Sequence, residues 1–168
     1  MPLEESMKNL LIMRHAKSSW KDSNVTDHDR PLKKRGTKDA ARMGKLLKDK
    51  GLVIDKILSS TAVRAADTAV LVAEKAGYKK DVEFTDSLYM AEGNGILDII
   101  QHQPDDIKTL LLIGHNPGME AFVQMMTKKI DSLSTASIAY FEADIEHWKD
   151  FNKDSAIKFK KFWQPDEL

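Results

Sequence analysis

The stretch Asn9-Leu10-Leu11-Ile12-Met13-Arg14-His15-Ala16-Lys17-Ser18 decides the reading of the fold. Asn9 to Met13 is an apolar run of strand length, and Arg14 and His15 leave its carboxyl end. The same device recurs in Ile57-Leu58-Ser59-Ser60-Thr61-Ala62-Val63-Arg64, where hydroxyls cap a helix after a strand and Arg64 falls in that helix's first turn. It appears a third time in Leu112-Ile113-Gly114-His115-Asn116-Pro117-Gly118. Polar groups placed directly after strands lie at the carboxyl edge of an α/β sheet, where ligands bind.

Between these strands the apolar positions take helical spacing. Ala40, Met43, Leu46 and Leu47 mark an amphipathic helix over 34–50 stopped by Gly51, and the alanine-rich segment 61–76 is a second, ended by Gly77. Lys17 to Leu32, polar and holding Pro31, reads as a long functional loop. Further strands are expected at Val53 to Ser59, Val82 to Thr85 and Thr109 to Ile113, with closing strands at Ser137 to Ala143 and Ala156 to Phe162. Gly93-Asn94-Gly95 marks a turn before a helix at Ile96 to Gln101, and Asn116 as N-cap with Pro117 at N1 opens a helix carrying Phe122, Met125 and Met126. The alternation defines an α/β fold. With no repeat, linker or low-complexity segment, the chain reads as one domain over 1–168, with 1–8 as a flexible tail.

Composition narrows the chemistry. The 168 residues carry 26 Lys and Arg against 26 Asp and Glu, a net charge of zero, and 42% are hydrophobic. A chain of this size buries a core without staples. The lack of cysteine removes thiolate metal sites, cysteine nucleophiles and disulfides. Balanced, interleaved charge argues against nucleic acid as the main partner. No apolar run approaches the ~20 residues of a membrane span, and the acidic N-terminus lacks the features of a signal peptide. A cytoplasmic protein with no membrane partner is expected. Lys158-Phe159-Lys160-Lys161-Phe162-Trp163 interleaves basic and aromatic residues as single-strand binders do, but an edge strand guarded by lysines is the preferred reading.

Two arginines, two histidines and the N-termini of two helices, those at Thr61 and Asn116, can meet on one spot. Such convergence suits a phosphate, because free N–H groups at helix starts and planar guanidinium forks match its oxygens. A neutral imidazole is also a nucleophile toward phosphorus, and surrounding positive charge keeps it unprotonated. On these grounds either His15 or His115 is the attacking group, while His28, His102 and His147 read as ordinary surface or hydrogen-bonded histidines. A metal site using His15 and His115 lacks a completing carboxylate, and Arg14 beside His15 repels a cation.

Several motifs then agree in order and spacing. Arg14-His15-Ala16 resembles the Arg-His-Gly signature of the histidine phosphatase superfamily, the phosphoglycerate-mutase-like enzymes. Ser59-Ser60-Thr61-Ala62-Val63-Arg64-Ala65-Ala66-Asp67-Thr68-Ala69 is similar to its Ser-Ser-x-x-x-Arg-Ala-x-x-Thr-Ala segment, and Gly114-His115-Asn116 to its second histidine motif. Arg30-Pro31-Leu32 with Gly36 resembles the stretch that follows the first motif. The small size and the Arg-His-Ala-Lys-Ser-Ser-Trp run are most similar to the SixA-type phosphohistidine phosphatase branch.

The resemblance implies a three-layer α/β/α sandwich with a mostly parallel central sheet, and a histidine phosphatase in which His15 is the phosphorylated nucleophile. Arg14, Arg64 and His115 would hold the phosphoryl oxygens, with Ser18 as a further substrate contact, and neither cofactor nor metal is implied. The implied partner is a phosphorylated substrate, foremost a phosphohistidine-bearing protein. Three departures stand out: Ala16 replaces the usual Gly, Lys21 stands where many relatives carry Asn, and Met90 occupies the place of a glutamate general acid, with Glu92 two residues on as a weak substitute. An alkoxide leaving group needs that acid, whereas imidazole, with a pKa near ~6.5, departs more readily. The alternatives are a general phosphomonoesterase, a mutase, and a phosphate-binding module without turnover.

Overall fold

A computed structural model describes residues 7–153 and 156–168. The strand ending in Arg14 is its spine. β1 (Met7–Arg14) pairs in parallel with β4 (Thr109–Gly114) on one side and antiparallel with β5 (Ile138–Asp144) on the other. β2 (Lys56–Ser60) joins β4 in parallel and carries the short β3 (Glu83–Thr85), while β6 (Ile157–Trp163) closes the opposite edge against β5. The order is β3-β2-β4-β1-β5-β6: four parallel strands extended by an antiparallel pair.

Side chains alternate along β1, so Leu10 and Ile12 enter one core and Leu11 and Met13 the other. The first core is covered by α3 (Gly93–Gln101) and α4 (Gly118–Met126) through Ile96, Ile100, Met119, Phe122 and Val123. The second is covered by α1 (Lys34–Asp49) and α2 (Val63–Ala76) through Ala40, Met43, Leu47, Ala65 and Val72. Helices on both faces make the expected three-layer sandwich. They also explain why β4 is buried at all six positions instead of alternating. Truncating one such side chain, as in Leu111→Ala, costs ~2–5 kcal/mol.

The structure moves several boundaries, each for a local reason. β1 starts at Met7, so Met7 and Lys8 belong to the sheet and not to a tail; the rest of the expected tail lies outside the described residues. Lys8 is buried because its ammonium donates to the Asp105 carbonyl and lies over the Trp148 ring. The second strand begins at Lys56, leaving Val53 78% exposed. There the Asp55 carboxylate accepts from the Lys108 and Thr109 N–H groups at 3.0 and 2.8 Å and fastens the approach to β4. Gly93-Asn94-Gly95 is the first turn of α3, since Ile96 N–H already donates to Glu92 O at 3.0 Å.

No hydroxyl caps α2. Ser60 Oγ accepts from Ala62 N–H at 3.1 Å in a tight turn, and Val63 N–H donates to His28 O, so the helix begins two residues later than its sequence suggests. Asn116 still serves α4 from outside it, its Oδ1 accepting from Glu120 N–H at 3.2 Å. On β6 the aromatics are committed to packing: Phe159 lies against Phe141 and Trp163 stacks on Tyr140, with Lys158, Lys160 and Lys161 exposed along an edge. That is the guarded edge strand of the sequence reading.

Candidate active site

His15 is the first residue beyond β1, and the backbone there is held from three sides. His15 N–H donates to Gly114 O at 3.0 Å, continuing the β1–β4 ladder. Ala136 N–H, at a left-handed φ of 62°, is shared between Arg14 O and His15 O. Ala16 N–H donates to Thr68 Oγ1 at 3.0 Å, and that hydroxyl donates to Arg64 O at 2.7 Å, so the loop after β1 is stitched to α2. Ala16 is fully buried without a positive φ, which is how its Cβ is tolerated where a glycine is the commoner choice.

The four residues expected to act are brought together. The imidazoles of His15 and His115 lie with centroids 5.0 Å apart. His15 Nδ1 donates to Ala16 O at 2.7 Å, which places the ring proton on Nδ1 and leaves the Nε2 lone pair free. Burial holds the His15 pKa down at about 4, helped by Arg64, Arg14 and Arg30 and opposed by the Ala16 carbonyl. His115 is pushed lower, to about 3, by burial first and then by His15 and Arg64. Both rings are neutral at neutral pH. Arg14 Nη1 donates to Leu133 O at 3.1 Å, and burial lowers its pKa as well.

Ser18 sits at the closed base of the 17–32 loop, bridged to Leu32, and its Oγ accepts from Arg30 Nη1 at 2.9 Å. All five residues line one cavity of ~940 Å³. Among the described residues only four buried side-chain polar atoms lack a hydrogen-bond partner, and three of them are Arg14 Nε, Arg64 Nε and His115 Nδ1. Buried polar atoms without partners are costly, and three around one cavity, two of them guanidinium donors, fit an oxyanion. The N-terminus of α4 borders this cavity as expected, through Pro117 and Gly118. That of α2 reaches it through the Arg64 side chain, its first amides being engaged by Ser60 and His28, and the start of α3, at Gly93 and Asn94, borders the cavity as well.

Other members of the site were not singled out by sequence. Asp27 binds Arg64 twice, through its carbonyl at 2.6 Å and its carboxylate at 3.1 Å, and also accepts from Arg30 Nε at 3.2 Å and the Tyr89 hydroxyl at 2.6 Å. The Tyr89 bond and the two guanidiniums hold its carboxyl down at about 2. Arg30 stacks on the exposed Trp20 ring at 3.3 Å. Arg30 had a signal in the Arg-Pro-Leu stretch; Asp27 and Tyr89 had none, since only the folded loop brings them to Arg64. Met90 and Glu92 both border the cavity, Met90 with 80% of its surface exposed. Among the described residues no three side chains of metal-ligating type come together.

Paired imidazoles and a cluster of guanidiniums at the carboxyl edge of a parallel sheet define an enzyme of the phosphoryl-handling α/β class. The chain belongs to the histidine phosphatase superfamily (branch 1), whose family model matches residues 10–128. An uncharacterized chloroplastic protein of Arabidopsis thaliana is 34% identical over 158 residues, 89% of this chain and 72% of its own. Among solved structures, an Agrobacterium tumefaciens protein assigned as phosphohistidine phosphatase SixA shares 25% identity at a TM-score of 0.80, covering 94% of this chain and 98% of that one. The protein histidine phosphatase SixA complexed with tungstate has a TM-score of 0.79 at 20% identity over 95% of this chain and 98% of its own. The protein is thus a histidine phosphatase of SixA-type architecture. No helix among the described residues is long and apolar enough to cross a membrane.

Proposed function

We propose that this protein removes phosphoryl groups through a covalent intermediate on His15, and that its preferred substrate is a phosphohistidine carried by a cytoplasmic protein. The observation that carries the reading is the His15 ring, whose Nδ1–H is given to Ala16 O so that an unprotonated Nε2 faces the reaction. Nε2 attacks phosphorus as the bond to the leaving group breaks. Arg14, Arg64 and His115 hold the phosphoryl oxygens, while Ser18 and Arg30 contact the group from the loop. Water then attacks phosphorus, the P–N bond breaks and its electron pair returns to Nε2, and phosphate leaves with the water's oxygen.

The leaving group follows from what borders the cavity. Met90 donates no proton and Glu92, the weak substitute, is exposed to solvent, so a group that departs without strong acid assistance is favoured, and imidazole qualifies. Trp20, Met90 and Met125 are exposed large apolar side chains and all three line this cavity, giving a flat, apolar leaving group a wall to lie on. The likeness to a protein histidine phosphatase SixA that holds tungstate, an oxyanion, supports the same reading. The test compares kcat/KM on a phosphohistidine peptide, p-nitrophenyl phosphate and 3-phosphoglycerate. The peptide is expected to lead by at least tenfold. Equal rates on peptide and aryl ester would make the protein a general phosphomonoesterase. Phosphate binding with no turnover would make it a binding module.

A further inference from the structure

Ser60, whose Oγ makes the turn ahead of α2, has no part in the proposed reaction as described. It is fully buried at the end of β2, and its Oγ makes two bonds: one with Ala62 N–H at 3.1 Å and one with His115 Nε2 at 2.8 Å. A backbone N–H is always a donor, so Oγ accepts from Ala62. The hydroxyl proton then has one acceptor within reach, Nε2 of His115. A hydroxyl that accepted from both neighbours would leave its own proton buried and unpaired, at a cost comparable to a lost hydrogen bond. An imidazole that accepts at Nε2 and is neutral carries its proton on Nδ1, and Nδ1 is the buried ring atom without a protein partner.

We propose that Ser60 is a positioning residue that fixes His115 as the Nδ1–H tautomer, turning this histidine into a hydrogen-bond donor for a phosphoryl oxygen. The site then contains two neutral imidazoles whose outer nitrogens do opposite work. The Ala16 carbonyl accepts a hydrogen bond from Nδ1–H of His15 and leaves a lone pair at Nε2 for attack. The Ser60 hydroxyl donates a hydrogen bond to Nε2 of His115 and leaves an N–H at Nδ1 for binding. With Arg14 Nε and Arg64 Nε, this makes three unpartnered donors around one cavity and no unpartnered lone pair among them. His115 therefore binds anions without being protonated, in keeping with a pKa held near 3 by burial and by the neighbouring His15 and Arg64.

The donor role rests on the phosphoryl-transfer reading; the tautomer does not, and the two are separated by the readout. The experiment is 15N–1H NMR of imidazole-labelled protein at pH 7, with His115 assigned through His115→Gln. Wild type is expected to show a pyrrole-type Nδ1 and a pyridine-type Nε2, and Ser60→Ala to move the proton population toward Nε2. The kcat/KM of Ser60→Ala on p-nitrophenyl phosphate should fall 10–100-fold, and Ser60→Thr, which keeps the hydroxyl, should recover both the spectrum and most of the rate. A wild-type His115 protonated on Nε2, or a Ser60→Ala spectrum identical to wild type, overturns the proposal. An inactive wild type with the expected spectrum would instead defeat the phosphatase reading and leave the tautomer standing.

Discussion

Gly118 borders the cavity and Gly95 follows Asn94, another of its lining residues, and both face Ala91, yet a methyl group should have opposite effects at the two positions. At Gly118, the first residue of α4, an added Cβ would lie 1.9 Å from the Ala91 carbonyl oxygen and 3.0 Å from its carbon. Both are backbone atoms of the segment that carries Tyr89 and Met90, so no rotamer change relieves the clash. The gap has to open by more than an ångström, and α4 begins only three residues after His115. Overpacking of this kind costs ~1–3 kcal/mol, and a displacement of about 1 Å at reacting groups costs ~10²-fold in rate. At Gly95, within α3, the nearest atom to an added Cβ is Ala91 Cβ at 4.0 Å. There alanine should stabilise the helix by ~0.5–1 kcal/mol. Urea denaturation with steady-state kinetics on p-nitrophenyl phosphate measures both effects. Gly118→Ala is expected to lower the midpoint and cut kcat/KM about a hundredfold; Gly95→Ala should raise the midpoint with kcat/KM within twofold of wild type. A Gly118→Ala enzyme with wild-type midpoint and rate would refute the argument that the 89–91 segment and α4 jointly set the geometry around His115.

Other expectations can be checked with the same assays. Arg64→Ala and His115→Ala should each lower kcat by ~10²–10³-fold while circular dichroism remains native; a loss under tenfold in either would remove that side chain from phosphoryl binding. Because His15 and His115 titrate near 4 and 3 when folded and near ~6.5 when unfolded, the unfolded chain takes up protons first as pH falls. Their contribution to stability is whole above ~6.5 and shrinks progressively toward the folded values. The urea midpoint should thus be lower at pH 5 than at pH 7.5, and the drop should be smaller in His115→Gln; a midpoint that rises on acidification contradicts this. Ala136 holds a φ of 62°, so Ala136→Gly should leave stability unchanged or raise it by up to ~1 kcal/mol, and a clear loss by calorimetry would show that the methyl group matters more than the backbone.

What sequence made legible was the part governed by local rules. Short apolar runs such as Leu10 to Met13 and Leu110 to Ile113 have no polar residue to expose, so they belong inside a sheet covered on both faces, and the residues after them mark the carboxyl edge. Arg14, His15 and His115 were visible for that reason, and Arg64 because it opens the helix after such a strand. Boundaries were less legible where side chains compete with the backbone: Asp55 fastens the start of β2, and Ser60 makes a turn where a helix cap was expected. Asp27 and Tyr89 were illegible because their importance is tertiary. Nothing in Asn24 to Asp29 announces that the loop folds back to lay one carboxylate across Arg64, Arg30 and the Tyr89 hydroxyl. The donor or acceptor character of each histidine was likewise hidden, since it depends on partners one residue away for His15 and 55 residues away for His115.

The central claim is that His15 Nε2 carries the phosphoryl group between substrate and water. Rapid mixing with a 32P-labelled phosphoramidate, denaturation at alkaline pH where phosphohistidine survives, and peptide mapping measure this directly. Label is expected on His15 in wild type and in His115→Ala, with none trapped and no turnover in His15→Ala. Label on any other residue, or a His15→Ala enzyme that still turns over, would contradict the account.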